Sequence, residues 1–179
     1  DPDAEIHALI LDSAGLNLAM DYLPGSVTYD PIALRPDPEL ASRIVWFDAY
    51  VTNVGRTVKN TNMLLWHKRV WLIDHGATLY FHHAPGWQDE PHRARDRFAL
   101  VKEQVLLRYA NQLPRADEDM TALLTPDVLS DIVDAIPEVW LAGDEPGADV
   151  TGLRAAYHRY LVERLEAPRP FVEEAIGAR

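Results

Sequence analysis

The sequence contains no cysteine. Neither a disulfide framework nor a thiolate metal site is therefore open to it. No apolar run approaches the roughly 18 residues that a membrane-spanning helix requires. With both features missing, the expected setting is the cytoplasm, with no membrane partner. Position 1 holds Asp1 rather than methionine, and no basic stretch followed by an apolar one precedes the first patterned segment. The start therefore reads as a boundary made by processing or cloning, with a segment upstream expected. Positive charge is also scarce: 17 Lys and Arg stand against 28 Asp and Glu, a formal net charge of -11. Affinity for a nucleic-acid backbone comes mainly from clustered Lys and Arg, so direct nucleic-acid binding is not expected.

What remains is sufficient for one good-sized core. A chain of 179 residues with 47% hydrophobic content reads as a single domain, 1–179. Helical signals dominate. Asp37 can cap a helix that Pro38 opens, with Leu40, Ile44, Phe47 and Val51 on one apolar face and an end near Thr52. A second helix is predicted over 94–111 from Phe98, Val101, Val105 and Tyr109, with Pro114 stopping the pattern. Thr125-Pro126 opens a third, with Leu129, Ile132, Val133 and Ile136 inward. Thr151 caps a fourth that presents Leu153, Tyr157, Leu161 and Leu165 and ends at Pro168 and Pro170, leaving at most a short tail helix. Near the start, Glu5 to Ala14 reads as a helix stopped by Gly15, Leu16 to Leu23 as extended, and Pro24-Gly25 as a turn; 144–149 reads as a solvated loop.

Between the first two of these helices the period changes. Met63-Leu64-Leu65-Trp66 and Val70-Trp71-Leu72-Ile73 are short apolar runs around His67-Lys68-Arg69, a β-hairpin pattern. The expected fold class is thus α+β, mainly α, with one hairpin. Antiparallel pairing brings the outer ends of two strands together, so Asn60 and Asp74 should become neighbours. Mg²⁺ takes oxygen ligands, often one or two side chains completed by phosphates and water, and an Asn with an Asp suits it. Gly76, in Ile73-Asp74-His75-Gly76, would give the backbone freedom for close approach to a phosphate. Kinases place these parts in the same order: a loop Asn, a hairpin, then Asp-x-Gly. Taken alone, the pair also fits a capped turn with a structural carboxylate.

The stretch from Trp46 to Asn62, containing Asn53-Val54-Gly55-Arg56-Thr57-Val58-Lys59-Asn60, followed by the hairpin and Ile73-Asp74-His75-Gly76, resembles the HipA-like kinase family. That family's loop reads Asn-x-Asp-Arg-x-x-x-Asn, then two strands, then Ile-Asp-His-Gly. The resemblance extends upstream through Gly15-Leu16-Asn17-Leu18 and Asp21-Tyr22-Leu23-Pro24-Gly25, and downstream to Ala167-Pro168-Arg169-Pro170. It implies the larger lobe of a two-lobed, protein-kinase-like phosphotransferase that uses ATP and Mg²⁺ on a protein or small-molecule hydroxyl. It places Asp21, Tyr22 and Leu23 near the hinge touching adenine, Asn60 and Asp74 on Mg²⁺, Asn53 in the catalytic loop, and Arg56 as the loop's brace. It also implies a small amino-terminal lobe as partner, absent here, and leaves room for an antitoxin-like partner.

One residue departs from the family pattern. Gly55 stands where the family places the aspartate that accepts the acceptor hydroxyl's proton. Loss of such a base typically removes about 10² to 10⁴-fold of rate. Asp48 is no substitute, because its helix should hold it about two turns from the loop. A second reading follows from Gly55: a non-catalytic pseudokinase whose helical lobe is a binding module.

A third reading uses His75, His82 and His83 as ligands of a hydrolase metal, although adjacent residues of an extended segment point to opposite faces. Trp66 and Trp71 are expected to pair across the hairpin. Arg93, Arg95 and Arg97 read as a solvated helix start balanced by Asp89, Glu90 and Asp96, and Asp117, Glu118 and Asp119 as solvated residues without function.

Overall fold

The computed structural model describes residues 4–143 and 147–179. Among them the fold is mainly helical with a three-stranded antiparallel sheet, in agreement with the expected class. Helix α1, Ala4–Asp12, buries none of its residues, and Gly15 follows at φ 115°. Residues 16–23 form no strand; Trp140 Nε1 holds Leu16 O at 2.7 Å and Trp66 Nε1 holds Pro24 O at 3.0 Å.

Helix α2, Pro38–Tyr50, is the central element. Asp37 caps it, accepting from Leu40 N at 3.0 Å, and Pro38 occupies the first turn, where a missing N–H leaves no bond unmade. Its buried surface is wider than the predicted stripe and rotated from it: Ala41, Ser42, Ile44, Val45, Trp46, Asp48, Ala49 and Tyr50 are buried, whereas Leu40 is exposed. The sheet is antiparallel throughout, with β1 (Val27–Thr28) on β2 (Met63–Trp66) and β2 on β3 (Arg69–Leu72). The connection is the two residues His67 and Lys68, at φ 48° and 63°. Positive φ at both positions gives a turn whose twist matches that of the paired strands. Trp66 and Trp71 meet edge to face with centroids 5.6 Å apart, as diagonal rather than opposite residues, since Trp71 pairs with Leu64.

The helix predicted over 94–111 does not form. Instead the chain makes successive 3₁₀ turns, Pro91–Arg95, Ala99–Glu103 and Leu107–Tyr109, broken by extended backbone at Asp96 and Gln104 and by Phe98 at φ 59°. Phe98, Val101 and Val105 are nonetheless buried. Turns of three residues repeat apolar positions at nearly the spacing of an α-helix, so the period cannot separate the two.

Pro114 opens a helix rather than stopping one: α3 runs Leu113–Leu123 with Pro114 in its first turn. Helix α4, Pro126–Asp134, starts at the predicted Thr125 cap and buries Leu129 and Val133, but Ile132 faces out. After α5, Glu138–Ala142, the loop expected over 144–149 lies partly outside the described residues. Helix α6, Val150–Leu165, is capped by Asp149, whose carboxylate accepts from Gly152 N at 2.8 Å, and not by Thr151. The tail is a full element: α7, Pro170–Ala178, buries Phe171, Val172 and Ala175 against the core.

Of the charged residues read as solvated, Asp89, Asp96, Arg97 and Glu118 are exposed as expected, while Asp117 and Arg95 are drawn into contacts between elements. Asp117, in α3, takes both Nε and Nη2 of Arg169 and accepts from Trp46 Nε1 at 2.8 Å. Arg95 and Arg97 pair with Glu166 and Glu174, and Arg93 pairs with Glu90. No helix among the described residues is long and apolar enough to cross a membrane.

Candidate functional site

Helix α2 ends where Thr52 turns to φ 52°, and Asn53 N then bonds back to Asp48 O at 2.7 Å. This reversal brings the loop 53–62 over the last turn of α2, so Asp48 lies directly beneath it rather than two turns away. Asp48 is fully buried. Its Oδ1 accepts from Asn53 Nδ2, and its Oδ2 from Arg56 Nε and Gln104 Nε2, each at 2.9 Å. A buried carboxylate needs such a set of donors, because an unpaired one would be too costly to desolvate.

Arg56 extends the network. Its Nη1 donates to Asn62 O, and Nη2 lies 3.2 Å from His75 Nε2. An arginine can only donate, so His75 Nε2 acts as the acceptor and the ring is neutral there. Partial burial, then the Arg56 charge, lower the His75 pKa, while Asp48 and Asp74 pull it upward. Gly55 sits inside the same frame: Gly55 N donates to Asn53 Oδ1 at 2.9 Å, and Gly55 O accepts from Asn62 Nδ2 at 3.2 Å.

The segment after the hairpin is stitched to this loop. Ile73 N bonds to Asn62 O at 3.0 Å, Val54 N to Ala77 O at 3.2 Å, and Leu79 N to Val51 O at 2.8 Å. These bonds place Asp74-His75-Gly76 alongside 54–62, at the open end of the hairpin. The register Met63↔Leu72 continues one step to Asn62 and Ile73, so the chain leading back to Asn60 and the chain leading on to Asp74 leave the sheet together.

Asp74 and Asn60 are both exposed. Among the described residues the Asp74 carboxylate has no hydrogen-bond donor, and Asn60 Oδ1 has only a long contact from Asn62 N, 3.4 Å. One free carboxylate and one nearly free amide oxygen fit part of the oxygen shell of Mg²⁺, the remainder falling to phosphates and water. The unusual backbone belongs to Asp74, at φ 51°, whereas Gly76 lies outside the left-handed region. A Cβ added to Gly76 would sit 3.7 Å from Asp74 Oδ1, so the lack of a side chain there keeps the carboxylate's flank open.

Of the remaining predicted site residues, Asp21 and Tyr22 are exposed and Leu23 is buried, on the segment between the two tryptophan anchors. No hydrogen bond joins these three to the loop 53–62 among the described residues. His82 and His83 do not point apart: a 3₁₀ turn over Tyr80–His83 brings their Nε2 atoms to 2.9 Å, and His82 Nδ1 lies 3.0 Å from Tyr157 Oη. No group of three His, Asp or Glu that could hold a metal occurs among the described residues.

The sequence pattern set Asp48 too far from the loop and gave no supporting role to Asn62 or Gln104. Asp48 carried a usable signal, since a carboxylate set in the apolar run Trp46-Phe47-Asp48-Ala49-Tyr50 is expected to be buried and paired. Gln104 gave none; it comes from 56 residues away. No protein-family model, curated protein or solved structure matches this chain.

Proposed function

We propose that this chain is the helical lobe of an ATP- and Mg²⁺-dependent phosphotransferase of the HipA-like kind, weakened by Gly55. The observation that carries the reading is one arrangement: the loop from Asn53 to Asn62 lies against Asp74-His75-Gly76 at the open end of the hairpin, with Arg56 clamped between Asp48 and His75. Kinases assemble a loop asparagine and an Asp-x-Gly aspartate in this order to hold metal and phosphates. In this reading Asn60 and Asp74 hold Mg²⁺, Gly76 leaves room beside the phosphates, and Asp21, Tyr22 and Leu23 face adenine. ATP, when bound, supplies the phosphoryl group for a hydroxyl on a protein or small molecule.

Arg56 and Asn53 fix the loop's shape, and neither is free to take a proton. Gly55 has no side chain with which to take it. Asp48 cannot replace it, being fully buried with three side-chain donors on its oxygens. The acceptor's proton must therefore leave without a protein base, which slows transfer by about 10² to 10⁴-fold without removing the electrostatic part of catalysis.

The partner in this reading is a small lobe that completes the nucleotide pocket. The exposed apolar side chains of Leu9, Ile10, Leu16, Leu18 and Tyr22 provide a surface for it to cover. In this reading the chain works in the cytoplasm, where ATP is abundant. Gly55 also favours a second reading, in which the loop binds nucleotide without transfer and the lobe acts as a binding module.

Calorimetric titration of ATP with Mg²⁺, into the chain alone and joined to such a small lobe, tests the nucleotide site. Binding lost in Asp74→Ala is the expected result; no binding by the unaltered protein rejects both readings. Phosphate transfer regained by Gly55→Asp supports the weakened enzyme, and continued silence despite nucleotide binding supports the pseudokinase.

A further inference from the structure

Beside the loop 58–61 the surface opens into a cleft of about 620 Å³, whose other walls are 28–32, 102–108 and the end of α7. Its volume falls in the ~300–1,000 Å³ range of ligand sites. Asn60 lines it, whereas Asp74 does not. The cleft therefore shares Asn60 with the proposed nucleotide site, and the Asp-x-Gly segment forms none of its lining.

Its charge runs against that of the whole chain. Lys59, Lys102, Arg108 and Arg179 line it, against Asp30 and Glu103, in a molecule with a formal net charge of -11. Asp30 is already engaged, its Oδ1 accepting from Ile32 N at 2.7 Å. Lys59, Lys102 and Arg108 are exposed and make no ion pair among the described residues; Arg108 lies over the Tyr109 ring, 4.6 Å from its centroid, and Nη2 donates to Tyr109 Oη. Cations grouped in a concave site on an otherwise acidic surface focus field lines and draw in anions.

The same walls carry apolar side chains that the core does not use. Ile32 is 75% exposed and Val58 77% exposed, both lining the cleft. Cationic and apolar groups side by side suit a ligand that carries carboxylates around an apolar side chain. We propose that this cleft docks an acidic peptide segment with an apolar anchor, and that the hydroxyl acceptor of the transfer lies on that segment. The second half of this statement rests on the phosphotransferase reading; the docking itself does not.

The test uses the full chain on an array of short serine-centred peptides with systematically varied flanking residues. Binding is expected to favour Asp and Glu around an apolar residue and to weaken as salt rises. Lys102→Glu combined with Arg108→Glu should reduce binding of the best acidic peptide at least about tenfold with an unchanged melting curve, because both side chains are exposed. Lys102→Gln with Arg108→Gln serves if the reversal fails to fold, and Ile32→Ser should remove the apolar preference. No preference for acidic peptides, or the same preference in the charge variants, overturns the proposal. So does displacement of the peptide by saturating ATP with Mg²⁺, which would assign the cations to nucleotide phosphates. Asp74→Ala should leave peptide binding intact. Acidic peptides bound by a chain that binds no nucleotide would remove the phosphotransferase reading and keep the docking site. Nucleotide binding without acidic preference would do the reverse.

Discussion

Asp48 and Arg56 meet in an ion pair with no solvent exposure on either side chain, Oδ2 to Nε at 2.9 Å. Asp48 is anchored in α2, and Arg56 carries the loop, so the pair transmits the position of a helix to the position of the candidate site. Taking two charges out of water is expensive, and the expense is met here by neighbouring donors and acceptors on Asn53, Gln104, Asn62 and His75. Removing one partner should strand the other. Arg56→Met is expected to lower the urea-derived stability by ~3–5 kcal/mol. Asp48→Asn keeps the shape and some acceptors, so it should be milder. A loss for Arg56→Met no larger than that of an exposed surface pair, about 0–1 kcal/mol, would show that the network does not hold the loop.

Restoring the family's aspartate carries a steric penalty. A Cβ at residue 55 would lie 3.1 Å from Ala77 Cβ, 3.3 Å from Asn53 Oδ1 and 3.4 Å from Asn62 Nδ2. Gly55→Asp is therefore expected to destabilise by ~1–3 kcal/mol, the usual range for overpacking. Adding Ala77→Gly removes the tightest contact and should return part of that loss. A double-mutant cycle on denaturation midpoints reads the coupling, and purely additive effects would mean that the loop shifts away from Ala77 without strain.

Arg164 ties down the end of α2 through carbonyls, with no ion pair among the described residues. It is 1% exposed and donates to Tyr50 O, Ala94 O, Asp96 O and Ala49 O at 2.8 to 3.0 Å. Two of these carbonyls end α2, where no further turn supplies an N–H to donate to them. The guanidinium thus joins α6 to the end of α2 and to the turns around residue 95. A lysine ammonium cannot reproduce that fork. Arg164→Lys should cost more than ~2 kcal/mol, since several buried carbonyls lose their donors together. Thermal melting would contradict this if the lysine variant matched the unaltered chain.

The pattern of what was legible follows the range of each interaction. The hairpin and the caps at Asp37 and Thr125 are local, settled within a few residues, and the sequence displays them. The turns over 91–109 are not local. Val105 N bonds to Arg56 O, Leu106 N to the Gln104 side chain, and Thr57 bridges Gln104, so contacts with the distant loop override the helical spacing of the apolar residues. Pro114 was ambiguous for a different reason: a proline both ends one helix and opens the next. At the candidate site, the position of Asn60 and Asp74 at the open end of the hairpin follows from the strand pattern. Their support was less readable, because Asp48 reaches the loop only through the reversal at Thr52. The way His82 and His83 meet likewise depended on a left-handed residue, Leu79 at φ 47°, just before them.

The histidine pair is expected to make stability depend on pH, modestly because His82 is exposed. Partial burial first, and the adjacent His83 ring second, lower the pKa of His82 from its usual value near 6.5. Its neutral ring shares the short Nε2 contact with His83, and a second charge there would be repelled. A folded-state pKa below the unfolded one means that the unfolded chain binds the proton more readily, so stability falls as pH falls. The contribution is fully present above the unfolded value, about 6.5, and is lost as pH drops through the lower folded-state value. Urea midpoints should therefore decline on going from neutral to mildly acidic buffer, and His82→Asn should flatten that decline. His83→Ala removes the second cause and leaves the first, so NMR titration of His82 in that variant should show its pKa moved part of the way back up. An unmoved value would assign the whole shift to partial burial.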